Sequence, residues 1–364
     1  MQDGQLRRGL KTELELRFQV HKSTITRVFD DLKKQMSEGN VIDVKNKKWG
    51  YVDENQWNIQ MNFSNQCLFG DPTFVNMQET IHINEKWFWL NPKTRRFYLL
   101  SKEENPYMCQ QSIRFKIKAM FMAVVGKPLY DANKNLLHDG KYGIFPFVFK
   151  KRALKLSKNR VAGTMETKAI ESVTKEVTRK MLMEQVIPAI KSKWHPSLPK
   201  NVFIQWDNAR QHQISTDAEF QEGCTSYGFN IQMVFQPAQF PDLNVLDLGL
   251  FTSIQSIQYQ SFTENLDHLV EKVNEAYAVF DPKVNRNTWI TLQKCMTEIM
   301  IKNGGNNYPP PHMGKNRLEN QGIMPEQIEV SRDIIHQAVE HLNTLFRQVN
   351  QADDEDTQMQ IDAD

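Results

Sequence analysis

The chain has 364 residues, a hydrophobic content of 40% and four cysteines, Cys67, Cys109, Cys224 and Cys295. This length allows two domains and a large core. No apolar run is long enough to cross a bilayer, and the first residues, MQDGQLRRGLK, lack the apolar segment of a signal peptide. The cysteines have no CxxC spacing, which argues against a zinc knuckle or a disulfide framework and predicts a reducing compartment.

The charge is unevenly distributed along the chain. The formal net charge is only +2, so bulk charge does not establish a nucleic-acid partner. Residues 351–364 are acidic and without periodicity, and we predict that they form a disordered tail. The rest of the chain is therefore clearly basic.

Residues 1–36 are predicted to form a helix-turn-helix. The first helix spans about Leu10–Phe18 and the second Ser23–Gln35, which carries apolar residues at helical spacing. The residues expected to contact DNA lie at the start of the second helix: Lys22, Ser23, Thr24, Thr26 and Arg27. An ordinary helical hairpin is the alternative. Glu15 and Gln19 occupy positions where that motif usually has a small residue and a glycine.

Residues 37–78 are predicted to be a basic linker and a connecting helix, and residues 79–327 alternate between strand and helix patterns. The first strand, Thr80–Leu90, places Ile81 and Ile83 on one face and His82 and Asn84 on the other. Further strands are predicted at Arg96–Leu100, Phe115–Val125, Val202–Ile204 and Ile231–Phe235. The predicted helices are Thr174–Ile190, with its core face at Val177, Met181, Val186 and Ile190, then Asn265–Phe280 and Asn287–Lys302.

Two aspartates occupy positions that suit a metal site. Asp207 ends the strand that begins at Val202, and Asn208 and Ala209 are predicted to turn the chain into a helix. Asp247 follows a proline-containing loop, on a helix for which Asp242 is the predicted N-cap. Such carboxylates can meet on one side of a sheet and bind a hard divalent metal.

Alternatives exist for residues near this pair. Asp242 could replace Asp247 as the second acid. His212, five residues after Asp207, could orient a neighbouring group or could be a surface histidine.

Four motifs carry a resemblance to a known family. They are TIHINEKWFWL (80–90), VFIQWDNARQH (202–212), QPAQFPDLNVLDLGLF (236–251) and NGGNNYPPPHMGK (303–315). Together they resemble mariner-like transposases, specifically the plant and oomycete branch. The thirty-nine residues between Asp207 and Asp247 match the spacing of that branch, whereas the thirty-four between Asp207 and Asp242 match other mariner branches.

The resemblance implies an α/β chain, with an all-α helix-turn-helix before a ribonuclease H-like catalytic domain with a mixed sheet. It implies three catalytic positions, Asn84, Asp207 and Asp247, of which the two aspartates bind Mg²⁺ or Mn²⁺ in a two-metal site. The implied activity is metal-dependent cleavage and transfer of DNA strands in the nucleus. The implied partner is double-stranded DNA, at transposon terminal inverted repeats.

The chain departs from the family at two places. Asn84 stands where the family has its first catalytic aspartate, and Glu85 points to the opposite face of the strand. The second helix-turn-helix of the family is missing after residue 50. We therefore expect weak or absent strand cleavage. The alternatives are a non-catalytic DNA-binding or regulatory protein, and a nuclease in which Glu85 or Glu166 repairs the site.

Two further segments have predicted roles. The densest basic cluster lies between residues 150 and 160, and its predicted DNA contacts are Lys151, Arg152, Lys158 and Arg160. A solvated surface is the alternative for this cluster.

Residues 328–350 include an amphipathic helix, Ser331–Val349, with Ile335, Val339, Leu342, Phe346 and Val349 on its apolar side. That helix could cap the catalytic domain or support a homodimer.

Overall fold

The computed structural model describes residues 72–90, 117–156, 161–209, 212, 214, 216–237, 240–261 and 263–344. Several predictions lie outside these residues: the helix-turn-helix and its DNA contacts Lys22, Ser23, Thr24, Thr26 and Arg27, the linker, the strand Arg96–Leu100, Lys158 and Arg160, and the acidic tail. Among the described residues, no helix has the length and apolar character needed to cross a bilayer.

The described elements follow an α/β order. The strands are β1 (Thr80–Trp89), β2 (Lys118–Gly126), β3 (Leu129–Tyr130), β4 (Leu136–His138), β5 (Lys141–Pro146), β6 (Val148–Arg152), β7 (Met165–Ala169), β8 (Asn201–Trp206) and β9 (Asn230–Phe235). The helices are α1 (Lys175–Met181), which continues through a π-helical turn (Leu182–Val186) into α2 (Ile187–Lys193), then α3 (Ala218–Thr225), α4 (Phe251–Gln258), α5 (Leu266–Val279), α6 (Pro282–Ile301), α7 (Lys315–Asn320) and α8 (332–344).

Five of the described strands form one mixed sheet in the order β5-β2-β1-β8-β9. β2 is antiparallel to both of its neighbours, β5 and β1, whereas β8 and β9 run parallel to β1. A parallel pair needs a crossover connection, which α3 provides between β8 and β9. The predicted α/β fold class with a mixed sheet is therefore confirmed for the described part of residues 79–327.

The sheet separates two hydrophobic clusters. On one face Phe88 and Phe121 pack with residues of α4, α5, α6 and α8. On the other face Ile81 and Ile83 pack with residues of α1, α2 and α3. The alternation predicted for the first strand, with isoleucines on one side and polar residues on the other, is thus confirmed. Both faces of the sheet are covered by helices.

Most predicted elements agree with the structure, but two helices begin at different residues. The α-helix after Asp207 begins only at Ala218, with Asp217 as its N-cap, whereas at Ala209 the chain makes a turn in which the His212 N–H donates to the Ala209 carbonyl at 2.9 Å. The helix predicted from Asn287 begins at Pro282, because Asp281 caps it and proline suits the first helical position.

The C-terminal amphipathic helix is only partly as predicted. Ile335 and Leu342 are buried, but Val339 is 38% exposed and Ala338 is fully buried in its place. Phe346 and Val349 lie outside the described residues. Since Ile335, Ala338 and Leu342 belong to the core cluster on one face of the sheet, α8 packs as a cap on the domain.

The cap of α6 makes a testable contribution to stability. The Asp281 carboxylate accepts a hydrogen bond from the Lys283 N–H at 2.8 Å. We expect Asp281→Ala to lower the free energy of unfolding by about 1 kcal/mol, measured by chemical denaturation. Glu340→Ala, a change at an exposed position of α8, serves as the control and should change it by less than about 0.5 kcal/mol. Equal effects would contradict the capping role.

Candidate active site

The parallel pairing of β1 with β8 places Asn84 and Asp207 side by side. The last paired residues are His82 and Gln205. Asn84 lies two residues beyond His82, and Asp207 two residues beyond Gln205. Because side chains alternate along a strand, both residues occupy the same face at the same end of the sheet.

A series of buried hydrogen bonds holds the segment before Asp247 against this face. Gln205 Nε2 donates to the Leu243 carbonyl at 2.6 Å, and the Val245 N–H donates to His82 Nδ1 at 3.2 Å. Between these residues, Asn244 Nδ2 donates to the Ile83 carbonyl at 3.0 Å. We call these three contacts the polar ladder. They fix the chain immediately before Asp247 relative to β1 and β8.

His82 and Gln205 were not predicted as site residues. His82 is fully buried, and burial lowers its pKa to about 3, so the ring is neutral and can accept the Val245 N–H. The edge of its ring meets Trp289, with ring centroids 4.7 Å apart. The alternation Ile-His-Ile-Asn in β1 places His82 on the face of Asn84, and this pattern could have identified it.

Asn84 and Asp247 are in direct contact. Asn84 Nδ2 donates a hydrogen bond to Asp247 Oδ2 at 2.7 Å, and Asn84 Oδ1 accepts one from the Glu85 N–H at 2.7 Å. A backbone N–H can only donate and a carboxylate accepts, so these partners fix the orientation of the amide. The nitrogen of Asn84 faces Asp247, and its oxygen faces the adjacent backbone.

Asp207 is bound by the histidine that follows it. His212 Nδ1 contacts Asp207 Oδ1, and His212 Nε2 lies 3.3 Å from Glu85 Oε1. The side chain of His212 is only 2% exposed, so the alternative of a surface histidine is wrong. Trp206 stacks on its ring at 3.8 Å.

The two acids have different electrostatic environments. Burial raises the pKa of Asp247 to about 6, while the charge of Lys86 and the Asn84 amide partly oppose this and Asp207 adds to it. Burial also raises the pKa of Asp207, but the hydrogen bond and charge of His212 outweigh it and hold that pKa below its ordinary value. Asp207 is therefore ionised at neutral pH, whereas Asp247 is close to its titration range.

The two carboxylates beside His212, those of Asp207 and Glu85, raise the pKa of its ring. Burial lowers the pKa of His212, but hydrogen bonds and charges from Asp207 and Glu85 outweigh this and raise it to about 9. The ring is thus an imidazolium at neutral pH, between two acids. This cation balances part of the negative charge of the site.

The three acids considered as alternatives, Asp242, Glu85 and Glu166, make contacts of their own. Asp242 is inside a 3₁₀ turn, Pro241–Leu243, and the prediction that it caps the next helix is wrong, because Asn244 Oδ1 accepts the Leu246 N–H instead. Glu85 lies on the opposite face, where its Oε2 accepts a hydrogen bond from Trp206 Nε1 at 3.3 Å. Glu166 is on β7 and pairs with Lys168 at 3.2 Å.

The part of the basic cluster that the structure describes lies on the β6–β7 hairpin. Lys151 and Arg152 are exposed on β6. Lys150, on the same strand, is bound to Asp267 at 3.0 Å and to Thr167 at 2.6 Å. Lys151 and Arg152 are thus placed where they can reach a polyanion, whereas Lys150 is bound to α5.

The donor set does not fit a two-metal centre. Within the described residues, no group of three or more His, Cys, Asp or Glu side chains is placed to hold a metal ion. Asp207 and Asp247 supply two carboxylates, but Asn84 places an N–H donor against Asp247, where two-metal chemistry needs a third anionic oxygen donor. His212 already engages one oxygen of Asp207.

Comparison with known proteins finds similar solved structures. A pre-cleavage Mos1 transpososome matches with 14% identity and a TM-score of 0.44, over 81% of this chain and 74% of that chain. A Mos1 mariner paired-end complex with Mn matches with 14% identity and a TM-score of 0.43, over 82% and 75%. The Mos1 catalytic domain with raltegravir and Mg matches with 16% identity and a TM-score of 0.39, over 64% and 87%.

These likenesses are distant. No protein-family model matches the chain, and no curated protein sequence is similar to it. With TM-scores below 0.5, the solved structures assign no residue of this chain a role. The chain is thus similar in fold to Mos1 mariner transposase structures.

Proposed function

We propose that this chain is a mariner-like transposase-family protein, of the plant and oomycete branch, that acts in the nucleus on double-stranded DNA and cleaves it weakly or not at all. The four sequence motifs support the family. The hydrogen bond from Asn84 to Asp247 carries the proposal for activity. An amide at this position supplies no negative charge and holds the neighbouring acid by an N–H donor.

The geometry supports a site that is assembled but lacks one acid. The polar ladder holds Asp247 beside β1, and pairing of β1 with β8 places Asp207 next to Asn84. These contacts are the positioning that a phosphoryl-transfer site requires. The resemblance of the motifs implies that the ancestral reaction is DNA strand cleavage and transfer at terminal inverted repeats, with Mg²⁺ or Mn²⁺ as the cofactor of a complete triad.

A DNA-binding or regulatory protein without nuclease activity is the second candidate. The Asn84–Asp247 bond favours it, because both side chains are satisfied without a metal. Retained DNA binding by a chain that does not cut would support this function. The third alternative, repair by Glu85 or Glu166, has no support in the geometry, since Glu85 is bound by Trp206 and Glu166 lies on the β6–β7 hairpin.

DNA binding by the catalytic domain is tested on the β6–β7 hairpin. We expect the double substitution Lys151→Ala and Arg152→Ala to weaken binding of a DNA duplex by about tenfold near 100 mM salt. The slope of log affinity against log salt should fall in magnitude by about 2, one for each lost phosphate contact. Fluorescence anisotropy of a labelled duplex at several salt concentrations measures both quantities.

Lys302→Ala is the matched control for this experiment. Lys302 is an exposed cation at the end of α6, outside the hairpin. It should leave the slope unchanged within about 0.3. If the hairpin variant and the control behave alike, Lys151 and Arg152 are part of a solvated surface and the proposed contact is wrong.

A further inference from the structure

A closed set of contacts surrounds Asp207 and crosses the edge of the sheet. His212 connects Asp207, on the face of the acid pair, with Glu85, on the opposite face. Trp206 contacts both His212 and Glu85. Its ring stacks on the His212 ring, with an interplanar angle of 19°, and its Nε1 donates a hydrogen bond to Glu85 Oε2. The His212 ring is therefore restrained by stacking on one side and by a carboxylate at each nitrogen.

The fixed ring restricts the Asp207 side chain. Asp207 Oδ1 receives His212 Nδ1 and also the Ala209 N–H at 3.3 Å. Both donors act on the same oxygen, so the carboxylate is held in one orientation. Trp206 is fully buried and Glu85 is only 9% exposed, which makes the supporting groups rigid.

We infer that His212 is a positioning residue: its Nδ1 contact orients the Asp207 carboxylate, and Trp206 and Glu85 hold the ring in place. The importance of Asp207 for catalysis rests on the proposed function, but the orientation itself does not. Glu85 thereby has a role other than replacement of the missing acid. It anchors the histidine that orients Asp207.

Two substitutions of His212 test the contacts of its two ring nitrogens separately. In His212→Asn the amide nitrogen can take the place of Nδ1 and still donate to Asp207, but nothing reaches Glu85. In His212→Gln the amide nitrogen takes the place of Nε2 and faces Glu85, but the donor to Asp207 is lost. Both changes remove the stacking on Trp206, and the variant that keeps the contact to Glu85 is the one that loses the donor to Asp207. Faster exchange in His212→Gln than in His212→Asn therefore reports the loss of that donor.

The readout is hydrogen exchange of the Ala209 amide in the full chain, measured by NMR. If His212 orients Asp207, His212→Gln should speed this exchange by at least about tenfold, because the acceptor of the amide becomes mobile. His212→Asn should change it by no more than about threefold. The Val245 amide, which donates to His82, is the internal reference and should not change.

Other results would overturn the inference. Equal acceleration in both variants, together with faster exchange at Val245, would mean that His212 only fills space beside Trp206. No acceleration in either variant would mean that the Ala209 N–H alone holds Asp207.

A second measurement separates this inference from the proposed function. In the full chain carrying Asn84→Asp, calorimetry gives the dissociation constant of Mn²⁺. Loss of an outer hydrogen bond to a metal-binding carboxylate typically weakens metal binding by about 10–100-fold, so His212→Gln should have this effect and His212→Asn a smaller one. If Ala209 exchange responds and Mn²⁺ affinity does not, the positioning role stands and the assignment of Asp207 to a metal site fails.

Discussion

Asn84→Asp is expected to increase metal-dependent nicking of supercoiled DNA by at least about 100-fold, because loss of one positioned charged group in an active site commonly costs that much. The substitution restores a carboxylate at the position between Asp207 and Asp247. It replaces the Nδ2 donor that now binds Asp247 with an anionic oxygen. Three carboxylates on neighbouring elements then match the donors that a hard divalent metal prefers.

The experiment compares the natural chain and Asn84→Asp in parallel, with Mg²⁺ and with Mn²⁺. Asn84→Gln is the matched control, since it changes the side chain without adding charge, and it should remain as inactive as the natural chain. Asp207→Asn, added to Asn84→Asp, should abolish the gain. Equal cleavage by the natural chain and Asn84→Asp would show that Asn84 is not in the triad.

If neither chain cleaves DNA, the predicted absence of a second DNA-binding unit becomes the leading explanation. Two linked modules bind far more tightly than one, so a chain with only the one predicted helix-turn-helix is expected to bind DNA ends poorly. Duplex binding by Asn84→Asp then decides the matter. Tight binding without cleavage would contradict the proposed role of Asn84, whereas weak binding would assign the defect to recognition.

The fold followed from local patterns in the sequence. Strict alternation in β1 separates Ile81 and Ile83 from His82 and Asn84, and the structure places these pairs on opposite faces. The apolar positions Met181, Val186 and Ile190 were predicted at helical spacing and are all buried. Such periodicity reflects which face of an element is buried, so it can be read one element at a time.

The details of the site depend on contacts between elements, which periodicity does not encode. His212 lies six residues beyond the end of β8, and only the three-dimensional structure brings it between Asp207 and Glu85. The sequence predicts Asp242 as the N-cap of the segment with Asp247, because Pro241 precedes it and an apolar helix pattern follows it. Asn244 takes this role because its side chain can also reach the Ile83 carbonyl of β1.

The same substitution that restores the acid should make the metal-free protein less stable. Asn84→Asp removes a hydrogen bond to a carboxylate and places two carboxylates against each other, which together should cost about 2 kcal/mol of unfolding free energy. For a domain of this size the unfolding midpoint should fall by roughly 5 °C in EDTA. Differential scanning calorimetry of the full chain measures the shift.

Metal should reverse this loss only in the restored chain. A ligand that binds the folded state at 100 times its dissociation constant adds about 2.7 kcal/mol, which is enough to return the midpoint of Asn84→Asp to that of the natural chain. Asn84→Ala is the control: it loses the donor without adding charge, so it should be destabilised less and should not respond to Mn²⁺. If Asn84→Asp is as stable as the natural chain in EDTA, the Asn84–Asp247 bond contributes nothing. If it is destabilised as expected, the amide stabilises the fold at the position that corresponds, by the sequence resemblance, to the first catalytic aspartate of mariner-like transposases.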